Sequence, residues 1–246
     1  MMGTVFGSFF TLAVYRIPLK KDITHERSFC PICNHKLGFW DMIPILSYLI
    51  ARGKCRYCGE KIRIRYLILE VLSGMVFLTE YIALNMHFPY LNFGKIVFFI
   101  SFIFMYVTIA ILSGIDKENR NIHKGVLIFG FIMQGLYILY LYIVQKTNMY
   151  RYGMYLCIMI VLYIIDIVSI KKTGKSKYIL QVLMLYSYIG AVLNVKLLGI
   201  TILLALVIAF FNYLHKKTKY EETRFGFLLG MSAICIAIVN TFITYM

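Results

Sequence analysis

Long apolar runs interrupted by short basic segments set the pattern of this chain. The runs fall at about 2–17, 66–86, 95–113, 125–144, 152–170, 178–194, 197–214 and 225–245, and most approach the roughly 20 residues needed to cross a hydrocarbon core about 30 Å thick. The pattern predicts an all-α integral membrane protein with about eight transmembrane helices, the sixth being the shortest. One long polar stretch, 19–65, separates the first two runs. Residues 1–18 have no basic segment before them and no small-x-small cleavage site after them, so they read as a retained helix and not as a signal peptide.

Composition excludes a soluble domain. The 246 residues are 61% hydrophobic and 15% charged, whereas ordinary globular chains are about 45–50% apolar and about 25% charged. A net charge of +15 raises the question of nucleic acid, but the cations sit in segments flanking the apolar runs. Orientation and anionic membrane lipid account for them, and no nucleic-acid partner is expected. Lys and Arg near span ends bias a loop to the cytoplasm. With eight spans, every Lys and Arg except Lys95, Lys146, Arg151 and Lys196 falls on one side. The expected topology therefore has both termini outside and the 19–65 loop in the cytoplasm.

That loop carries Cys30-Pro-Ile-Cys33 and Cys55-Arg-Tyr-Cys58-Gly59. Two CxxC pairs can close a tetrahedral thiolate cage around Zn²⁺, and four thiolates leave no open position, which makes such a site structural. Gly59 lets the backbone turn after the second pair. A cytoplasmic loop keeps its thiols reduced, which disfavours disulfides and favours zinc over free or redox-active cysteines. His35 reads as a solvated loop histidine, and Cys157 and Cys235 as small buried hydrophobes inside spans.

Acids within apolar spans cost about 2.5–3.5 kcal/mol at a helix centre and are candidates for function. Glu70, Glu80, Asp116 and Asp166 qualify. Glu70 lies just after Arg63 and Arg65, so an ion pair with those arginines stands beside any functional role. Asp116, where the third span meets the cytoplasm, and Asp166, in the fifth span about one turn from Lys171, lie toward the same membrane face. Two such carboxylates suit an aspartyl hydrolase, in which one takes a proton from water and the other hydrogen-bonds the scissile carbonyl. Structural acids are the alternative.

Several segments together resemble the type IV prepilin peptidase family, the leader peptidase/N-methyltransferases. Gly7-Ser-Phe-Phe-Thr-Leu-Ala-Val-Tyr-Arg16-Ile-Pro18 is similar to the family's opening GSFLNxxxYRLP, with Thr11 in place of Asn. The cysteine pairs flank Trp40-Asp41-Met-Ile-Pro44-Ile-Leu-Ser47 and Arg52-Gly-Lys in the family's order. Arg65-Tyr66 with Glu70-Val-Leu-Ser-Gly74 is similar to RYPxxELxxG, and Arg224-Phe225-Gly226-Phe-Leu-Leu-Gly230 to PFGPxLxxG.

The resemblance implies a bifunctional membrane enzyme acting on type IV prepilins or pseudopilins. It would cleave their leader at the cytoplasmic face and methylate the new N-terminus with S-adenosylmethionine. It also implies an N-terminal methyltransferase-like region, 1–86, holding the four-cysteine loop, and a membrane-embedded aspartyl peptidase-like domain, 87–246. The expected residence is the bacterial inner membrane. The family's protease half uses one Asp after the third span and one in a GxGD motif before the sixth. Asp116 fills the first position, but the second reads Thr173-Gly174-Lys175-Ser176-Lys177-Tyr178, with no Asp. Either Asp166 supplies the second carboxylate from another helix, or the chain is a protease-deficient homologue that binds or only methylates prepilin.

Overall fold

The computed structural model describes all residues except 24–26, 31, 85–91, 120, 146–149, 174–175, 194, 217–224 and 246. The predicted Gly174, Lys175 and Arg224 therefore lie outside the described residues. The chain is helical: α1 (Met2–Arg16), a 3₁₀ turn (Trp40–Met42), α2 (Leu46–Ile50), α3 (Arg65–Ala83), α4 (Phe93–Asn119), α5 (Lys124–Gln145), α6 (Tyr150–Thr173), α7 (Tyr178–Val192), α8 (Val195–Lys216) and α9 (Phe225–Tyr245). Apart from the short α2, each helix coincides with one predicted span, so this is an all-α, multi-pass architecture. Among the described residues, α3, α4, α5 and α6 are long and apolar enough to cross a bilayer, and α7, α8 and α9 supply the shorter apolar stretches Tyr178–Ala191, Lys196–Phe210 and Phe225–Thr241. Strand pairing is limited, among the described residues, to the isolated bridges Phe29–Lys36 and Lys54–Lys61.

The chain divides into two compact units, Met1–Ile82 and Ala83–Met246. In the first, α1 and α3 approach at backbone distance. A Cβ added at Gly3 would lie 2.6 Å from the Ser73 carbonyl oxygen, and one at Gly7 would lie 2.7 Å from the Glu70 Cα. Gly3 and Gly7 are one helical turn apart, the spacing by which small residues let membrane helices touch. Phe6 and Phe77 stack beside this seam with ring centroids 5.3 Å apart. Gly7→Val has backbone atoms in its way, so overpacking should cost about 1–3 kcal/mol. Thermal denaturation of the detergent-solubilised protein checks this: the Gly7→Val midpoint should fall, while Gly135→Ala, in open space, should leave it unchanged or raise it.

In the second unit α4 is the hub, packed against α5 and α9. α6 packs on α7, and α8 on α9. Buried Ser113, Ile115 and Asp116 bring the inner face of α4 to its C-terminal end. Tyr188 of α7 meets Phe131 of α5 edge to face at 5.1 Å, and the Ser187 hydroxyl donates to the Tyr155 carbonyl of α6 at 2.7 Å. These contacts fix α7 between α5 and α6, which places its N-terminal residues near both aspartates of this unit.

Candidate functional site

The cysteine loop is built from two copies of one turn. The Cys30 N–H donates to the His35 carbonyl and the Asn34 N–H to the Cys30 carbonyl, at 3.0 and 2.8 Å. The Cys55 N–H donates to the Glu60 carbonyl and the Gly59 N–H to the Cys55 carbonyl, at 2.8 and 2.9 Å. A second tier repeats as well, with Leu37 N–H to the Ser28 carbonyl and Ile62 N–H to the Gly53 carbonyl. Each turn closes on a residue in the left-handed region, Asn34 at φ 55° and Gly59 at φ 74°. Glycine and asparagine are the residues that tolerate this conformation. The role of Gly59 is legible in the sequence; Asn34 is its counterpart, detectable only by aligning the two pairs.

The four sulfurs lie within 4.8 Å of one another, and Cys30 and Cys58 are 3.9 Å apart. Zinc–sulfur bonds of about 2.3 Å in a tetrahedron require sulfurs about 3.8 Å apart, close to the Cys30–Cys58 separation, so the cluster has dimensions that suit such an ion. Backbone N–H groups of Cys33 and Ile32 hold the Cys30 thiol down at about 7. Cys58 accepts from the Glu60 N–H, which acts downward, yet desolvation and the neighbouring sulfurs push it up to about 12. Four sulfurs converging from two chelating turns form a donor set that could hold a metal ion.

Asp41 binds the two turns together. Its carboxylate accepts from the Gly38 N–H at 3.1 Å and the Tyr57 hydroxyl at 2.9 Å, and pairs with Arg56 at 3.3 Å. The Asp41 carboxylate pushes the Tyr57 hydroxyl up in pKa, and the Tyr57 ring stacks on His35 at 3.5 Å. His35 is thus a packing partner. Glu70 of α3 is buried and accepts from the Ile45 N–H at 2.7 Å, so it anchors the start of α2. Arg65 lies over the Tyr66 ring at 5.4 Å. Arg16 is also buried, and its guanidinium donates to the Asp22 and Arg27 carbonyls. The family-like residues of the first unit therefore hold the shape of the loop.

The second unit holds both candidate aspartates, each fully buried. Asp116 Oδ2 accepts from the Phe227 N–H at 2.8 Å and from the Tyr178 hydroxyl at 3.1 Å. The Tyr178 hydroxyl in turn accepts from the Gly226 N–H at 3.2 Å. Gly226 and Phe227 open α9, where the first N–H groups lack intrahelical partners and the helix dipole favours an anion. Asp116 thus caps α9 from α4. A Cβ at Gly226 would lie 3.0 Å from Asp116 Oδ2, and one at Gly230 would strike Ser113. Gly226 admits the α9 backbone to Asp116 and Gly230 admits it to Ser113, which gives the Phe225–Gly230 segment a physical reason.

Asp166 is held differently. Lys124, at the start of α5, ion-pairs with Oδ2, and the Ser176 hydroxyl donates to Oδ1 at 2.7 Å. Gln181 donates to Ser176 at 3.0 Å and accepts from the Ile122 N–H at 3.0 Å. The cation beside Asp166 is Lys124 of α5, a partner that periodicity within α6 cannot show. Within the 173–178 stretch where the resemblance places a second acid, Lys177 is exposed and the Ser176 hydroxyl donates to Asp166. α7 links both carboxylate networks, through Tyr178 to Asp116 and through Gln181 toward Asp166. Sequence reading missed both residues; their one signal was polarity at the start of an apolar helix.

Residues 1–84 match the bacterial peptidase A24 N-terminal domain. The prepilin leader peptidase/N-methyltransferase of Myxococcus xanthus is 42% identical over 77 residues, which are 31% of this chain and 23% of that protein. That of Vibrio cholerae is 40% identical over 79 residues, covering 29% and 31%. That of Klebsiella pneumoniae is 29% identical over 131 residues, covering 51% and 54%. The chain thus spans less than two thirds of the length of these relatives. No solved structure matches it.

Proposed function

We propose that this chain, which through its first 84 residues belongs to the type IV prepilin peptidase family, is a prepilin leader peptidase and N-methyltransferase of the bacterial cytoplasmic membrane. The observation carrying this reading is the joint presence of the family's N-terminal domain and a buried Asp116 capped by Tyr178 and the α9 N-terminus. The 19–65 loop faces the cytoplasm in this reading, with zinc in the Cys30, Cys33, Cys55 and Cys58 cage as a structural ion. S-adenosylmethionine is the methyl source.

In the peptidase step Asp116 and Asp166 act together on water and the scissile carbonyl of a prepilin or pseudopilin. The hydrogen bond between Ser176 and Asp166 supports this pairing, since it puts a carboxylate beside the position where a second acid is expected. Both Asp166 oxygens are engaged, so water must displace Lys124 or Ser176 to reach one.

The test is mass spectrometry of a type IV prepilin co-expressed with the full chain. Expected is a pilin lacking its leader and carrying one methyl group on the new N-terminus. Unprocessed pilin that still co-purifies with the chain would replace this reading with the protease-deficient one.

A further inference from the structure

The cysteine loop exposes large apolar side chains that neither the metal cage nor the family-like contacts use. Phe39 and Trp40 are 71% and 72% exposed, with their rings edge to face at 5.9 Å. On α2, Leu46, Leu49 and Ile50 are 48%, 57% and 67% exposed, and their i, i+3, i+4 spacing puts them on one face. Contiguous exposed patches of this kind mark contact surfaces.

The depth of this face follows from Glu70. It lies five residues into the membrane-crossing α3, about 7.5 Å beyond the helix start at 1.5 Å per residue, and its carboxylate holds the Ile45 N–H that opens α2. Ile45 adopts φ 64°, a conformation a β-branched residue accepts only when its surroundings impose it. α2 is therefore pinned beside the first turns of a span. Arg52, Lys54, Lys61, Arg63 and Arg65, all exposed, follow α2 or precede α3. Apolar side chains at the depth of a helix entry, followed along the chain by exposed cations, match an interface with lipid chains and anionic headgroups.

We propose that the 39–50 segment is a lipid-docking surface that seats the cysteine loop in a bilayer containing anionic phospholipid. The proposal rests on membrane residence alone and stands whether or not the chain cleaves prepilins. Trp40 is the one tryptophan of the chain and reports on it directly.

The full-length protein is placed in nanodiscs of phosphatidylcholine, with or without phosphatidylglycerol, containing lipids brominated near either end of the acyl chain. Expected is blue-shifted Trp40 emission, lost more to bromines near the headgroup than to those near the chain terminus, and lost more with phosphatidylglycerol present. The double variant Arg52→Gln/Lys54→Gln should erase the difference between the two lipids. Leu49→Gln/Ile50→Gln should reduce quenching while zinc content is unchanged, which separates lost docking from a lost fold. Unquenched emission overturns the proposal, whether water-like or blue-shifted; the latter means that protein covers the patch. Equal quenching in both lipids overturns the anionic requirement.

Discussion

If the chain cleaves prepilins as proposed, Asp116→Asn should slow leader removal from a co-expressed prepilin by about 10²–10⁴-fold, the usual share of a general acid or base. The amide keeps the size of the side chain and can still accept from the Phe227 N–H and the Tyr178 hydroxyl, so the helix cap survives and only proton transfer is lost. Asp166→Asn separates the two readings of the second acid. A loss of the same size assigns the partner carboxylate to α6. Cleavage that persists in Asp166→Asn and is absent in Asp116→Asn leaves Asp166 as the counter-ion of Lys124. Quantitative mass spectrometry of leader-bearing and mature pilin reads both. If the first unit carries methyl transfer, as the resemblance implies, methylation of a synthetic pre-cleaved pilin should continue in either variant, because both aspartates belong to the other compact unit.

Removing a metal held by the four cysteines, as proposed, should have a larger effect on the first unit. Structural zinc contributes about 10–16 kcal/mol of apparent folding free energy in small zinc-binding peptides near pH 7. Besides the contacts of Arg16, Asp41 and Glu70, the described backbone pairing of the 19–65 loop is two isolated bridges and a set of turns. Cys55→Ser, or treatment with a strong chelator, should release zinc from a stoichiometry of one per chain and open the loop to protease between the two cysteine pairs. Metal analysis by mass spectrometry and limited proteolysis in detergent check this. An unchanged cleavage pattern after zinc loss would show that Asp41, Arg16 and Glu70 hold the loop unaided. Asp41→Asn should be milder, because it weakens the Arg56 pair and the Tyr57 hydrogen bond but spares the cage.

Much of the fold was legible in the chain because bilayer physics is coarse. A span needs length and apolarity, and hydropathy reports both without knowledge of neighbours. For that reason α1 and α3 to α9 fall where the apolar runs lie. The convergence of the four cysteines was legible too, since a chelating turn is local and each CxxC pair carries its own geometry. Glu70, by contrast, looked like a partner for nearby arginines. Its described contact is the backbone of Ile45, far away in sequence, and periodicity carries no information about such a neighbour.

Membrane residence, the helical spans, the four-cysteine cage and the two candidate acids could all be read from residue order, because each depends on composition or on spacing within one segment. How those acids are held could not. Asp116 is capped by the first turn of α9 and by Tyr178 of α7, and Asp166 is paired with Lys124 of α5 and hydrogen-bonded by Ser176. A buried carboxylate must find donors wherever packing brings them. Here Asp116 is held by α7 and α9 and Asp166 by Lys124 of α5 and by Ser176 between α6 and α7, neighbours that only packing brings together.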